Sequence, residues 1–338
     1  MTDTPILEVR DLSRVFRVGG VTGRRELHAV DDANFVINRS EIVALVGESG
    51  SGKSTIARLL AQVYTPSSGE ILFDGTPLSR LKSRRDRLRY RAAVPMVFQD
   101  PFSSLNPVYR VSHGILRGLK LHRPELGPAE RRAEAERVVT AVGLTPASEV
   151  LQKHPYELSG GQRQRIGFAQ ALAYRPKVIL ADEPVSMLDI SVRIGLLNVM
   201  AALRDEQGVS LLYITHDIAS ARYVADRMMV MYAGRVVESG PMEEVLQQPQ
   251  HPYTQLLLAA VPDPRAELTV TAAQAAGEPP KVIDPKPGCR FAPRCPLARE
   301  VCRTVTPPLL ELRPGHQAAC HVAAEEAGRG AESMGAAA

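Results

Sequence analysis

Cysteine is absent from the first 288 of the 338 residues, and all four cysteines fall between Cys289 and Cys320. That distribution excludes a disulfide scaffold and leaves one local group of thiols to explain. Long apolar runs are missing too. Gln255–Val261 (QLLLAAV) is typical of those present, far short of the roughly 18 residues that a membrane-spanning helix needs. The opening MTDTPILEVRDL lacks the basic-then-apolar order of a secretory signal, so we expect a cytosolic chain that reaches any membrane through a partner. Charge of one sign is not in excess: 41 Lys and Arg against 37 Asp and Glu leave +4, which gives little support to nucleic-acid binding. What the chain does have is 44% hydrophobic residues, enough for a core and against disorder throughout, in a length of 338 that allows one large domain or two smaller ones.

Strand and helix signals alternate. Glu26–Ile37 and Gly69–Gly75 read as strands, and Ile42–Val46 (IVALV) as a buried strand entering a glycine-rich turn. A helix follows, with Ile56, Leu59 and Leu60 on one face. From about Pro107 to Tyr156 strong helix formers predict a helical insert. Val178–Ala181 and Ser210–Thr215 are further buried strands, and Arg227–Ser239 a strand pair about its Ala-Gly turn. Together these predict an α/β core with a parallel sheet. Pro262–Pro287 reads as a linker or loose loop, and the tail from 323 to 338 as disordered.

Gly47-Glu48-Ser49-Gly50-Ser51-Gly52-Lys53-Ser54 fits G-x-x-x-x-G-K-[ST] between a strand and a helix. Such a loop turns its N–H groups onto phosphate oxygens, with Lys53 reaching the β- and γ-phosphates and the Ser54 hydroxyl ligating Mg²⁺. A ligand-free turn is the plainer alternative, disfavoured by that strand-to-helix context. Asp182 and Glu183 end the strand Val178–Ala181. Their side chains diverge, so Asp182 suits a Mg²⁺ ligand and Glu183 a base for the attacking water.

Leu158-Ser159-Gly160-Gly161-Gln162-Arg163-Gln164-Arg165 opens another helix. Chemistry alone reads it as a capping turn with anion-binding N–H groups. The full string resembles the signature motif of the ATP-binding cassette (ABC) ATPases. The resemblance implies a P-loop NTPase core with an antiparallel β subdomain and an α-helical subdomain, working as head-to-tail dimers. Ser159, Gly160, Gly161 and Gln162 would then act on ATP held by the opposite cassette. Gln99 resembles the Q-loop glutamine that touches Mg²⁺, Asp189 the D-loop aspartate, and His216 the switch histidine beside the γ-phosphate. Thr55 joins the nucleotide-binding loop, and Phe16 is the aromatic expected to stack on adenine, its alternative being a core phenylalanine.

GESGSGKST at 47–55, FQDPFSSLNP at 98–107, EPVSMLD at 183–189, and His251-Pro252-Tyr253-Thr254 before a Cys-bearing end resemble the oligopeptide/dipeptide importer ATPases. This implies an ATPase domain over residues 1–262, its helical subdomain over about 105–160, and a C-terminal extension over 263–322. Implied partners are a second, different ATPase subunit, two transmembrane permease subunits and an extracytoplasmic substrate-binding protein, without nucleic acid, at the cytoplasmic face of the membrane. Nickel or oligosaccharide import is an alternative cargo, and a soluble ABC protein acting on DNA or ribosomes an alternative class. Cys289, Cys295, Cys302 and Cys320 suggest a metal site, with four reduced thiols as the plainer alternative. Their spacing lacks the tight C-x2-C of structural zinc, and the resemblance implies a 4Fe-4S cluster, with Zn²⁺ as the alternative. Arg80–Arg91, with six Arg and one Lys, reads as a solvated helix face rather than a nucleic-acid patch.

Overall fold

The computed structural model describes residues 4–19, 24–100, 105–260 and 282–335. Strands β1 (Leu7–Val18) and β2 (Arg25–Ile37) run antiparallel and lead into β3 (Ile42–Val46), which is buried throughout. After β3 come α1 (Lys53–Leu60), β4 (Ser68–Phe73), β5 (Thr76–Pro77), α2 (Arg84–Ala93) and β6 (Met96–Val97). The helical insert is built from α3 (Val111–His122), α4 (Pro128–Ala141), α5 (Ala147–Gln152) and α6 (Gly160–Leu172). Its α4 starts where Pro128 occupies the first turn and the Glu130 carboxylate accepts the Gly127 N–H. Then β7 (Val178–Asp182), α7 (Ile190–Gln207), β8 (Ser210–Ile214), α8 (Ile218–Val224), β9 (Arg227–Tyr232) and β10 (Arg235–Pro241) alternate. The chain closes with α9 (Met242–Gln247), α10 (Pro252–Ala259), α11 (Glu300–Thr304), β11 (Leu310–Arg313), β12 (His316–Ala318) and α12 (His321–Gly335).

Two sheets result. β2-β1-β4-β5 forms an antiparallel sheet, and β11-β12-β10-β9-β3-β8-β7-β6 the central one, parallel from β9 to β6. Alternation along the central strands feeds two cores. Ile42, Ala44 and Val46 face the helical insert side, where Ile179, Leu211 and Met228 join them. Val43 and Leu45 face the other side, packing with Ile56 and Leu60 of α1 and with Leu7, Val9 and Phe35 of the antiparallel sheet. Covering both faces explains why β3, β7 and β8 read as unbroken apolar runs.

The expected strand pair at 227–239 is β9–β10, joined through Ala233 (φ 46°) and Gly234 (φ 86°), the positive-φ pair of a tight hairpin turn. The basic run forms α2, capped by Ser83, with Arg84, Arg85, Arg87, Arg89 and Arg91 exposed and Tyr90 buried against Phe73. One expectation differs from what the described residues show. The tail read as disordered from 323 is helical to Gly335, consistent with its Ala- and Glu-rich composition. Within the stretch read as a linker, 261–281 lies outside the described residues, but from Val282 the chain lies along β2. There His28 N–H donates to Val282 O, and Asp284 N–H to Glu26 O.

Candidate functional site

Because β3, β7 and β8 are neighbouring parallel strands, their C-terminal ends gather on one edge of the sheet. β3 delivers the glycine-rich loop there. Gly47 (φ 150°) and Gly52 (φ 106°) are required sterically: a Cβ at Gly47 would lie 2.2 Å from Met231 O, and at Gly52 2.2 Å from Ala29 O. Ser49 and Gly50 stand exposed at the tip while Ser51 is buried, its carbonyl accepting the Gly234 N–H. Lys53 is buried at the head of α1, and its Nζ donates to Gly47 O (2.7 Å) and Glu48 O (2.9 Å). Burial lowers its pKa, opposed by the negative charges of Glu183, Asp182 and Glu48. Thr55 follows in the first turn, its N–H donating to Gly52 O.

Beside the loop, Ser54 Oγ donates to Asp182 Oδ1 at 3.0 Å. Burial pushes the Asp182 carboxyl up, an effect that Ser54 and nearby cations only partly offset. A buried carboxylate meeting a hydroxyl is an oxygen donor set of the kind that suits Mg²⁺. Glu183 adopts φ 46°, an uncommon left-handed conformation for a side chain of this size, while its N–H still donates to Ile214 O. The turn takes its carboxylate away from Asp182 and toward two other groups. Gln99 Nε2 donates to Glu183 Oε2 at 2.9 Å, and His216 Nδ1 lies 3.4 Å from Glu183 Oε1. Thus residues 84 and 33 positions away in sequence meet at one carboxylate.

The signature turn closes on itself. Ser159 Oγ accepts the Gln162 N–H, and Gln162 Oε1 accepts the Ser159 N–H, a reciprocal cap for α6. A Cβ on Gly160 would meet nothing within 4 Å, whereas Gly161 lies tight against Val192 of α7. Asp189 caps α7, accepting from Val192 N–H and Ser191 Oγ, and these bonds hold its carboxyl below the usual range. Sequence reasoning missed three ties. Arg193 bridges Asp217 (2.8 Å) and Leu188 O, joining the segments after β7 and β8. Gln164, buried in α6, donates to Phe98 O beside Gln99. Tyr64 packs edge-on against the half-buried Phe16 at 5.4 Å, with the Arg14 guanidinium 4.6 Å from the Phe16 ring.

Cys289, Cys295, Cys302 and Cys320 line one small cavity together with His251, Phe291 and His321. Burial raises the thiols of Cys289, Cys295 and Cys320. Among the described residues no three His, Cys, Asp or Glu side chains are placed to share one metal ion.

The description "ABC transporter" matches residues 30–186, and "Oligopeptide/dipeptide transporter, C-terminal region" matches 237–302. The oligopeptide transport ATP-binding protein AppF of Bacillus subtilis is 39% identical over 322 residues, covering 94% of this chain and 97% of its own length. A Brucella ovis protein named as a peptide import ATP-binding protein is 40% identical over 321 residues, covering 95% and 98%. The dimeric post-hydrolysis structure of the cassette MJ0796 bound to ADP and Pi is similar in fold, with TM-score 0.62 and 26% identity, over 70% of this chain and 98% of that one. The cbiO1 structure from Clostridium perfringens is similar too, with TM-score 0.61 and 30% identity, over 72% and 91%. Since the AppF and Brucella relatives match along nearly their whole length, the chain belongs to the ATP-binding proteins of the ABC transporter family, in the group with the oligopeptide/dipeptide transporter C-terminal region.

Proposed function

We propose that this chain is the ATP-hydrolysing subunit of an importer of oligopeptides or dipeptides. The observation that carries the hydrolytic part is the Glu183 carboxylate, held by Gln99 and facing His216 on the sheet edge that bears the glycine-rich loop. The peptide cargo rests on the C-terminal match and on the names of the relatives. In this reading the loop amides of 47–55 and Lys53 bind the β- and γ-phosphates. Glu183 orients the attacking water and takes its proton, and His216 donates to the γ-phosphate. Mg²⁺ would be held by Ser54, Asp182 and Gln99, and when bound it neutralises charge on the phosphate oxygens. Phe16 supplies the adenine face, with Tyr64 behind it.

The Ser159–Gln162 turn and Asp189 serve the neighbouring cassette of a head-to-tail pair. The open face of Gly160 and the dimeric state of the related cassette support this. No helix among the described residues is long and apolar enough to cross a membrane, so in this reading two permease subunits provide the path. A binding protein delivers the cargo, and the chain sits at the cytoplasmic face. Gentle solubilisation of a tagged chain from its native membranes should co-purify two multispanning subunits, a second cassette and a binding protein, identified by mass spectrometry. Capture of ribosomal proteins or DNA enzymes instead would overturn the transport reading.

For Cys289, Cys295, Cys302 and Cys320 we infer a 4Fe-4S cluster. In such a cluster each thiolate binds a different iron, so the sulfurs can line one cavity without sharing an ion. Its default role is structural. Cys295→Ser should lower bound iron, measured by elemental analysis against protein concentration. Unchanged iron and zinc content would leave these residues as free thiols.

A further inference from the structure

Two C-terminal strings converge on one residue of the glycine-rich loop. On α10, Tyr253 is fully buried, and its Oη accepts the Glu48 N–H at 2.9 Å. Arg294, next to Cys295, clasps the Glu48 carboxylate with both terminal guanidinium nitrogens, at 3.0 and 3.1 Å. The Glu48 carbonyl in turn accepts from Lys53 Nζ. The N–H, carbonyl and side chain of residue 48 are thus all engaged, two of them by residues more than 200 positions downstream. The anchors are themselves fixed. Tyr232, Tyr253 and Phe291 pack edge-on or tilted with ring centroids 4.5–5.5 Å apart, and the Arg294 guanidinium lies 5.7 Å from the Tyr232 centroid.

A second arm reaches the same loop. Arg290 donates to Ala233 O and to Asp31, and Gly234 N–H, in that turn, donates to Ser51 O.

We propose that Arg294 and Tyr253 are positioning residues, which fix Glu48 so that the affinity of the loop for a nucleoside diphosphate or triphosphate depends on the C-terminal segment. The physical reason is preorganisation. A loop already held in its binding shape loses less conformational freedom when phosphate arrives, and bidentate Arg–carboxylate pairs impose geometry as well as attraction. This links the Cys-bearing segment to nucleotide binding through main-chain position, without any group from that segment touching phosphate. The inference rests on the assignment of residues 47–54 as the phosphate loop.

The test is a double-mutant cycle on the full-length chain, reading the Kd for ADP with Mg²⁺ present. Arg294→Ala should weaken ADP binding by about tenfold in the wild-type background, with Arg294→Lys recovering part of the loss. In a Glu48→Ala background Arg294→Ala should cost almost nothing, because its partner is gone. Equal losses in the two backgrounds would mean general destabilisation, and no loss in the wild type would mean no positioning; either overturns the proposal. Tyr253→Phe keeps the ring packing and should raise Kd as well. A wild-type chain that does not bind ADP would overturn the phosphate-loop assignment and the inference with it.

Discussion

Glu183→Gln should cut ATP turnover by about two to four orders of magnitude while ATP still binds. The substitution keeps the shape of the side chain, and a glutamine can hydrogen-bond where the carboxylate now receives Gln99 Nε2. What it loses is the capacity to accept a proton from water. The phosphate contacts assigned to Lys53 and the loop amides come from the segment after β3, where Lys53 Nζ keeps its bonds to Gly47 O and Glu48 O. ATP then remains bound between two cassettes without being cleaved, so the closed dimer should accumulate. Phosphate release, nucleotide retention and light scattering measure the three parts of this result. Turnover near the wild-type rate would show that Glu183 is not the base.

Lys53→Met should weaken ATP binding by about 30-fold to several thousand-fold, the range expected when one partner of a buried charged contact is truncated. Lys53 is 5% exposed and already aimed along the loop, at Gly47 O and Glu48 O. Methionine preserves the apolar stem and removes the cation. It also leaves two loop carbonyls without that donor, so the loop itself loosens. Equilibrium titration with ATP reads the affinity, and a thermal melt confirms that the chain is folded. Affinity within threefold of wild type would sink the assignment of Lys53 to the phosphates.

The parts of this protein that were legible in the sequence are those whose physical requirement is local. The loop at 47–54 needs glycines because neighbouring carbonyls leave no room for a Cβ, and it therefore carries its signature in consecutive letters. β3, β7 and β8 are covered on both faces, so their composition alone identifies them. Asp189 was legible as a motif member but not as the cap of α7, since that role depends on where the helix starts. β6, β11 and β12 are two to four residues long and offer no period to read. Contacts such as Arg294 to Glu48 and Arg193 to Asp217 left no signal, because a charged pair across a folded surface imposes no spacing on the chain. The tail helix was missed because its Ala, Gly and Glu content resembles that of unstructured sequence.

The central sheet is completed on one side by strands from near the end of the chain. β12 pairs with β10 at Glu238↔Ala318 and Ser239↔Gln317, and the fully buried Glu238 receives His316 Nε2 at 2.7 Å. On the ribosome, β10 is finished at Pro241 but its neighbour begins only at His316. At roughly 5–20 residues per second, that strand waits about 4–15 s for its cover. Throughout that interval a nascent chain carries a strand with open backbone hydrogen-bonding groups along one side, a template for pairing with any other nascent chain. Translation speed over residues 242–315 is therefore part of what determines how much of this protein reaches its native state.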